Sequence, residues 1–216
     1  MTRIALIHAL AHSVTPINDA LARDWPQCQR MNLLDDSLSA DLARTGAIDA
    51  AMTARFVALG DYAKNNGADA ILFTCSAFGA CIDAVKQRLA PLPVLKPNEA
   101  MLDEAAALQR ARGGSVGLVA SFGPTLVSMG PEFPPHLPLR TALAHGALDA
   151  LDRGDLQGHD DAVLKAAETL VSEGCSVIAL AQFSLARARD PLAAALAVPV
   201  LTTPDSAVRA LRQRLA

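Results

Sequence analysis

The sequence predicts an α/β protein of two similar βα lobes, each built on a parallel sheet, related by a pseudo-two-fold axis and enclosing an active-site cleft. Three observations predict it. Short apolar runs alternate with amphipathic ones along the chain, the order in which crossover helices join parallel strands. The strand-like runs, such as Ala70–Phe73 and Val177–Ala181, are apolar throughout rather than alternating, as in strands covered on both faces. The chain also repeats itself. With Gly67 set on Gly174, residues 67–100 and 174–207 run together through an apolar strand, a polar break, an amphipathic helix and a Pro-Val-Leu strand, with a one-residue gap. The repeat puts Cys75 opposite Gln182.

In chain order, strands are expected at Ile4–Ile7, Gln29–Leu33, Ala70–Thr74 and Val94–Leu95, with helices at Thr15–Arg23, Ile48–Asn65 and Ala77–Leu89. The helix over 48–65 carries Met52, Phe56, Leu59 and Ala63 on one stripe. The second half repeats the order with strands at Ser115–Ala120, Leu139–Leu143, Ser176–Ala181 and Pro199–Leu201. Its helices are expected at Pro124–Glu132, Asp160–Glu173 and Ala186–Leu196, with Glu99–Arg110 joining the halves and Ser206–Leu215 packing back on the first. The expected lobes are therefore residues 1–97 with the helix 204–216, and residues 98–203.

Bulk properties narrow the function classes. Among 216 residues 51% are hydrophobic and 19% charged, enough to bury a sizeable core. A net charge of −3 with scattered Lys and Arg gives no basic stripe, which argues against nucleic acid and anionic membranes as partners. Apolar runs stay well below the ~20 residues of a membrane span, and Ile4–Ile7 is too short for a signal peptide, so a cytoplasmic location is expected. Cys28, Cys75, Cys81 and Cys175 lack metal-ligand spacing and read as reduced thiols. No dinucleotide, phosphate-loop, zinc-protease or nucleophile-elbow motif is present, so no metal and no cofactor is expected.

In open parallel sheets ligands collect beyond the carboxyl ends of the strands. Four such ends carry polar or special residues: His8; Thr74, Cys75 and Ser76; Ser121 with Phe122; and Gln182 with Phe183. Cys75 ends a buried strand and opens a helix at Ala77, so free helix amides and the helix dipole are expected to lower its thiol pKa. Those amides, with the hydroxyls of Thr74, Ser76, Ser121 and Thr125, can hold a carboxylate or an enolate-like oxygen. Phe122 and Phe183 would shape the pocket, and Gln182 would be a hydrogen-bonding wall. Cys81 is expected to pack as a small hydrophobe, and Cys28 and Cys175 precede strands at the far end. His12, His136 and His159 are expected in solvated loops, and His145 is a weaker strand-end candidate than His8. Residues 32–41, rich in Asp and Ser, fit either a lid over the cleft or a capped surface turn.

At these residues the chain resembles the aspartate/glutamate racemase superfamily, which includes hydantoin racemases, maleate isomerases and arylmalonate decarboxylases. The resemblance runs through residues 3–8, 67–79, 117–122 and 177–182, with Thr74-Cys75-Ser76 its most specific segment. It implies a cofactor-free cleft in which two cysteines, one per lobe, exchange protons on opposite faces of a substrate α-carbon, and dimers are common among such proteins. Cys75 matches the first-lobe cysteine, whereas Gln182 stands where the second would be. An amide cannot exchange a proton at useful pH. The resemblance therefore implies one-sided chemistry at the carbon next to a carboxylate of a small acid: isomerisation, racemisation with another second base, or decarboxylation as in single-cysteine arylmalonate decarboxylases. The alternatives are a carboxylate-binding protein without turnover, and a cysteine hydrolase with His8 as base.

Overall fold

The computed structural model describes residues 1–215, which divide into two compact units: Met1–Glu99 with the chain from Ala207 on, and Ala100–Ser206. Each unit holds one four-stranded, wholly parallel sheet. The first contains β1 (Arg3–His8), β2 (Gln29–Leu34), β3 (Ala70–Phe73) and β4 (Val94–Leu95), in the order β2-β1-β3-β4. The second contains β5 (Ser115–Ala120), β6 (Leu139–Leu143), β7 (Cys175–Leu180) and β8 (Val200–Thr202), in the order β6-β5-β7-β8. The repeat in the sequence is thus a repeat in topology.

The helices of the first unit are α1 (Val14–Asp24), α2 (Ser37–Thr45), α3 (Ala50–Asn65) and α4 (Gly79–Leu89). The connections from β1 to β2 and from β3 to β4 run outward in opposite directions, so the chain switches direction between β1 and β3. Pleat alternation sends Ala5, Ile7, Ile71 and Phe73 to one face, where α3 and α4 supply Met52, Phe56, Ala63, Ile82 and Val85. Phe56 stacks on Phe73 with ring centroids 5.4 Å apart and leans on Phe78 at 4.8 Å. Close approach of α3 to α4 requires Gly60, where a Cβ would lie 2.7 Å from Val85 Cγ1. Asp49 caps α3 by accepting from the Met52 amide at 2.7 Å.

The second unit is built on α5 (Glu99–Arg112), α6 (Gly123–Met129), α7 (Ala147–Asp152), α8 (Leu156–Ser172) and α9 (Arg189–Ala195). α5 and α6 cover the face of Val116, Leu118, Val177 and Ala179, while α8 and α9 cover that of Val119, Ile178 and Leu180. Asp155 caps α8 through the Gly158 amide at 2.9 Å. The last helix, α10 (Thr203–Leu215), starts in this unit and from Ala207 belongs to the first. Among the described residues no helix is long and apolar enough to cross a membrane.

Three expectations need correction. The helix expected from Ala77 begins at Gly79, after a 3-10 turn over Ser76–Phe78; the equivalent turn Phe183–Ala188 precedes α9. Residues 32–41 contain half of a real helix, α2, whose Leu38 and Leu42 pack inward at one-turn spacing. The helix expected from Asp160 starts four residues earlier, at Leu156, which makes His159 helical.

Candidate functional site

In each unit the candidate residues gather where the chain changes direction, at the carboxyl ends of β1 and β3 and of β5 and β7. The first of these ends is organised by a hydrogen-bond chain that runs from the surface inward. Asn18 Nδ2 donates to the Val14 carbonyl at 2.7 Å and to Asn32 Oδ1 at 2.8 Å, so Asn32 presents its oxygen to His8 Nε2, 3.0 Å away. That oxygen only accepts, so Nε2 carries a hydrogen. Burial pushes the His8 pKa down against the opposing Asn32 bond, which leaves a neutral ring whose Nδ1 accepts from the Thr74 hydroxyl at 2.8 Å.

His8 is wholly buried with both ring nitrogens engaged. Neither substrate contact nor a base role for Cys75 is open to it in this arrangement, and the hydrolase alternative loses its only base. Its neighbour Thr74 is 4% exposed and spends its hydroxyl hydrogen on His8. Both hold the turn that carries Cys75.

Cys75 follows β3 in extended conformation, with φ −127° and ψ 121°, and is half-buried. The Ala77 amide and the Ser39 hydroxyl lie on the side of the sulfur where they favour its ionised form. The expectation of an acidic thiol is overturned: burial pushes the Cys75 pKa up, and these two groups only partly offset it. The reason is local. Three residues of 3-10 turn separate the sulfur from α4, so it meets one amide rather than the open end of an α-helix. Ser76 is partly buried and Ala77 exposed on that turn.

Ser39 was not visible as a site residue, because nothing in the sequence sets it apart from the other serines of residues 32–41. Helix α2 brings it to Cys75, and Arg55 holds that helix. The Arg55 guanidinium bridges Asp35 Oδ2 and Asp41 Oδ2 at 2.6 Å each and donates to Ser37 Oγ at 2.6 Å. Burial alone would raise the Asp35 carboxyl, but hydrogen bonds from Ser37 and Arg55 bring it below the usual range; Arg44 and Arg55 do the same for Asp41. These acids serve α2.

At the matching end of the second sheet, Gln182 Oε1 accepts from the Ser121 amide at 2.7 Å and from the Ser121 hydroxyl at 3.1 Å. A backbone N–H can only donate, so the side-chain oxygen faces Ser121 and the Gln182 NH2 group turns away as a donor. The Ser121 hydroxyl, expected to hold a ligand oxygen, here donates to Gln182 beside the Ser121 amide. Thr125 lies in the first turn of α6, and its amide donates to the Phe122 carbonyl at 3.0 Å. Phe122 is 50% exposed, whereas Phe183 is buried at 6% beneath its turn.

Behind that turn stands an ionic cluster that sequence reasoning missed. Arg187 donates to both carboxylate oxygens of Asp160 at 2.9 Å, and Asp160 Oδ1 faces His159 Nδ1 at 2.8 Å. His159 is fully buried on α8, not solvated, and its Nε2 has no hydrogen-bond partner. His12, His136 and His145 are exposed. Cys28, Cys81 and Cys175 are buried, and burial pushes each of these thiols up.

No curated protein matches the sequence significantly. Solved structures share the fold. An allantoin racemase from Klebsiella pneumoniae superposes with a TM-score of 0.73 at 17% identity, covering 100% of this chain and 88% of its own. A glutamate racemase from Bacillus anthracis gives 0.69 at 15%, covering 99% and 81%. An unliganded arylmalonate decarboxylase gives 0.64 at 18%, covering 98% and 92%. Residues 11–211 match the sequence model of the Asp/Glu/Hydantoin racemase family, so the chain belongs to that family.

Proposed function

We propose that the protein is a cofactor-independent enzyme in which the Cys75 thiol transfers a proton at the carbon next to a carboxylate of a small acid. The reading rests on one observation above the rest: a half-buried thiol at the direction switch of a parallel sheet, at the extended residue that leads from β3 into the turn before α4. In the first unit Ser76 and Ala77, with Thr74 behind them, and in the second Thr125 and the Gln182 NH2, are the groups suited to a carboxylate or an enolate-like oxygen. Phe122, with Phe183 beneath it, would form the apolar wall, and Ser121 and His8 would act through Gln182 and Thr74.

A thiol pKa pushed above its ordinary 9.0 leaves Cys75 protonated at neutral pH. It is therefore set to deliver a proton rather than to remove one. Delivery breaks the S–H bond, leaves its electron pair on sulfur and forms a C–H bond at a carbanionic carbon. This favours a second reading, decarboxylation: the carboxylate's C–C bond breaks, carbon dioxide leaves, the electron pair stays on the α-carbon as an enolate, and Cys75 protonates it. Racemisation needs a further group to take the first proton.

The test is turnover of a panel of 2-substituted acids and malonates by the wild type and Cys75→Ser. Loss of ~10²-fold or more with unchanged folding is expected, in line with removal of a general acid. Undiminished turnover by Cys75→Ser would end the proposal, and ligand binding without product in the wild type would favour a carboxylate-binding protein. With Cys75 as donor, the rate falls as pH rises through the raised thiol pKa; with a thiolate base it climbs through the same range.

A further inference from the structure

We propose that helix α2 is a gate over Cys75 and that Arg55 is its latch: the helix lifts as a unit to admit a reagent or substrate to the sulfur and closes again on the Arg55 guanidinium. As a gate for substrate it rests on the catalytic reading of Cys75. The register of the first sheet sets Ile7 beside Phe73, and the Thr74 amide donates to the Ile7 carbonyl at 3.0 Å. Two residues further on, Ala9 comes level with Cys75, about 5 Å away at the spacing of paired strands. Ser39 Oγ, from α2, donates to that Ala9 carbonyl at 3.0 Å, and Leu38 belongs to the core cluster on which Cys75 packs. Helix α2 therefore sits against the strand end at the residue next to the thiol.

What holds α2 there is mostly charge. Leu38 is its buried side chain, Leu42 is only partly buried, and Ala40, Ala43, Arg44 and Thr45 are exposed. Against that small apolar anchor stand three contacts to a single residue of α3: the Arg55 guanidinium takes Asp35, Asp41 and Ser37 Oγ at 2.6 Å each. The Arg55 side chain is 33% exposed, so water competes for both ion pairs and the latch holds by a modest margin. Gly46 ends the helix in the left-handed region, with φ 72° and open space where a Cβ would lie, and provides a pivot. A short helix with one buried apolar side chain and solvent-reached ties is the kind of segment that opens without global unfolding. Cys81 makes the contrast: it is fully buried on α4, with its sulfur 3.6 Å from Thr53 Oγ1 of α3.

The experiment compares the rates of iodoacetamide labelling at Cys75 and Cys81 at fixed pH, read peptide by peptide by mass spectrometry on the full-length protein. Arg55→Met should speed labelling at Cys75 about tenfold, the loss of two partly exposed ion pairs, and leave Cys81 as slow as in the wild type. Removing a positive charge raises the pKa of a nearby thiol and slows its reaction, so acceleration reports access. Asp41→Asn leaves the Asp35 bridge in place and should give a smaller gain of about threefold, which keeps the test open should Arg55→Met not fold. An unchanged Cys75 rate would overturn the gate. Equal acceleration of Cys75 and Cys81 would overturn it too, as the signature of global unfolding rather than of one helix lifting. Labelling needs no turnover, so the two readings fail separately. An unchanged Cys75 rate with activity lost in Cys75→Ser removes the gate alone, whereas faster labelling in Arg55→Met with Cys75→Ser fully active removes the catalytic reading and leaves the gate.

Discussion

Replacing His8 by Leu tests whether this histidine is scaffold or chemistry. The ring is wholly buried and makes two side-chain hydrogen bonds, at 2.8 Å to Thr74 and 3.0 Å to Asn32. Leucine fills a similar volume but leaves the buried Thr74 hydroxyl facing an apolar group, whereas the exposed Asn32 keeps Asn18 as a donor. One orphaned buried group costs about 1–3 kcal/mol. For a chain of this size that is a drop of roughly 2–12 °C in melting temperature. The pH dependence carries a separate signature. Because burial lowers the folded pKa below 6.5, the unfolded chain binds a proton first as pH falls. The wild type should lose stability as pH drops below 6.5, by at most about 1.4 kcal/mol per pH unit for one proton, down to the folded pKa. His8→Leu should lack that part of the slope. Urea unfolding followed by circular dichroism at several pH values measures both. Destabilisation under about 1 kcal/mol together with an unchanged pH slope would refute the network argument.

Other outcomes follow from the second unit. Gln182→Glu keeps the acceptor for Ser121 but replaces the outward NH2 by a carboxylate oxygen, so affinity for a carboxylate ligand should fall about tenfold or more, measured by calorimetry. Asp160→Ala strands Arg187 and the buried His159. A destabilisation of about 2–3 kcal/mol is expected by chemical denaturation, less than for a fully buried pair because the Arg187 side chain keeps 34% exposure. Burial alone would raise the Asp160 carboxyl, yet Arg187 and His159 bring it below 3.8. Its stabilising share is therefore present above pH 3.8 and lost as pH falls below it.

Much of the fold was legible because apolar β-rich runs and helical stripes are local signals: β4, β5 and β6 lie where their residues predict them. The repeat carried the topology further than any single element, since the same strand order recurs in both units. What escaped was set by tertiary contact. Helix α2 is short and polar, and its place comes from Arg55, distant in sequence. His159 reads as a loop residue because its neighbours in sequence are polar, whereas Asp155 is the cap that starts α8 and makes it helical. Position marked Cys75 and Gln182 as special, but their chemistry lay beyond it. The thiol's direction of shift depends on how many donors reach the sulfur against how deeply it is sunk. The orientation of the Gln182 amide depends on one backbone hydrogen of Ser121.

Helix α10 crosses from one unit to the other, and its Ala207, Val208 and Leu211 are fully buried. During translation the ribosome completes the whole of the second unit before it delivers those three side chains. The first unit must wait, with apolar surface uncovered, while the second already has every strand it needs. Nascent-chain maturation should therefore run opposite to the usual order, the downstream half acquiring protease resistance first and the upstream half only once residues 207–211 have emerged.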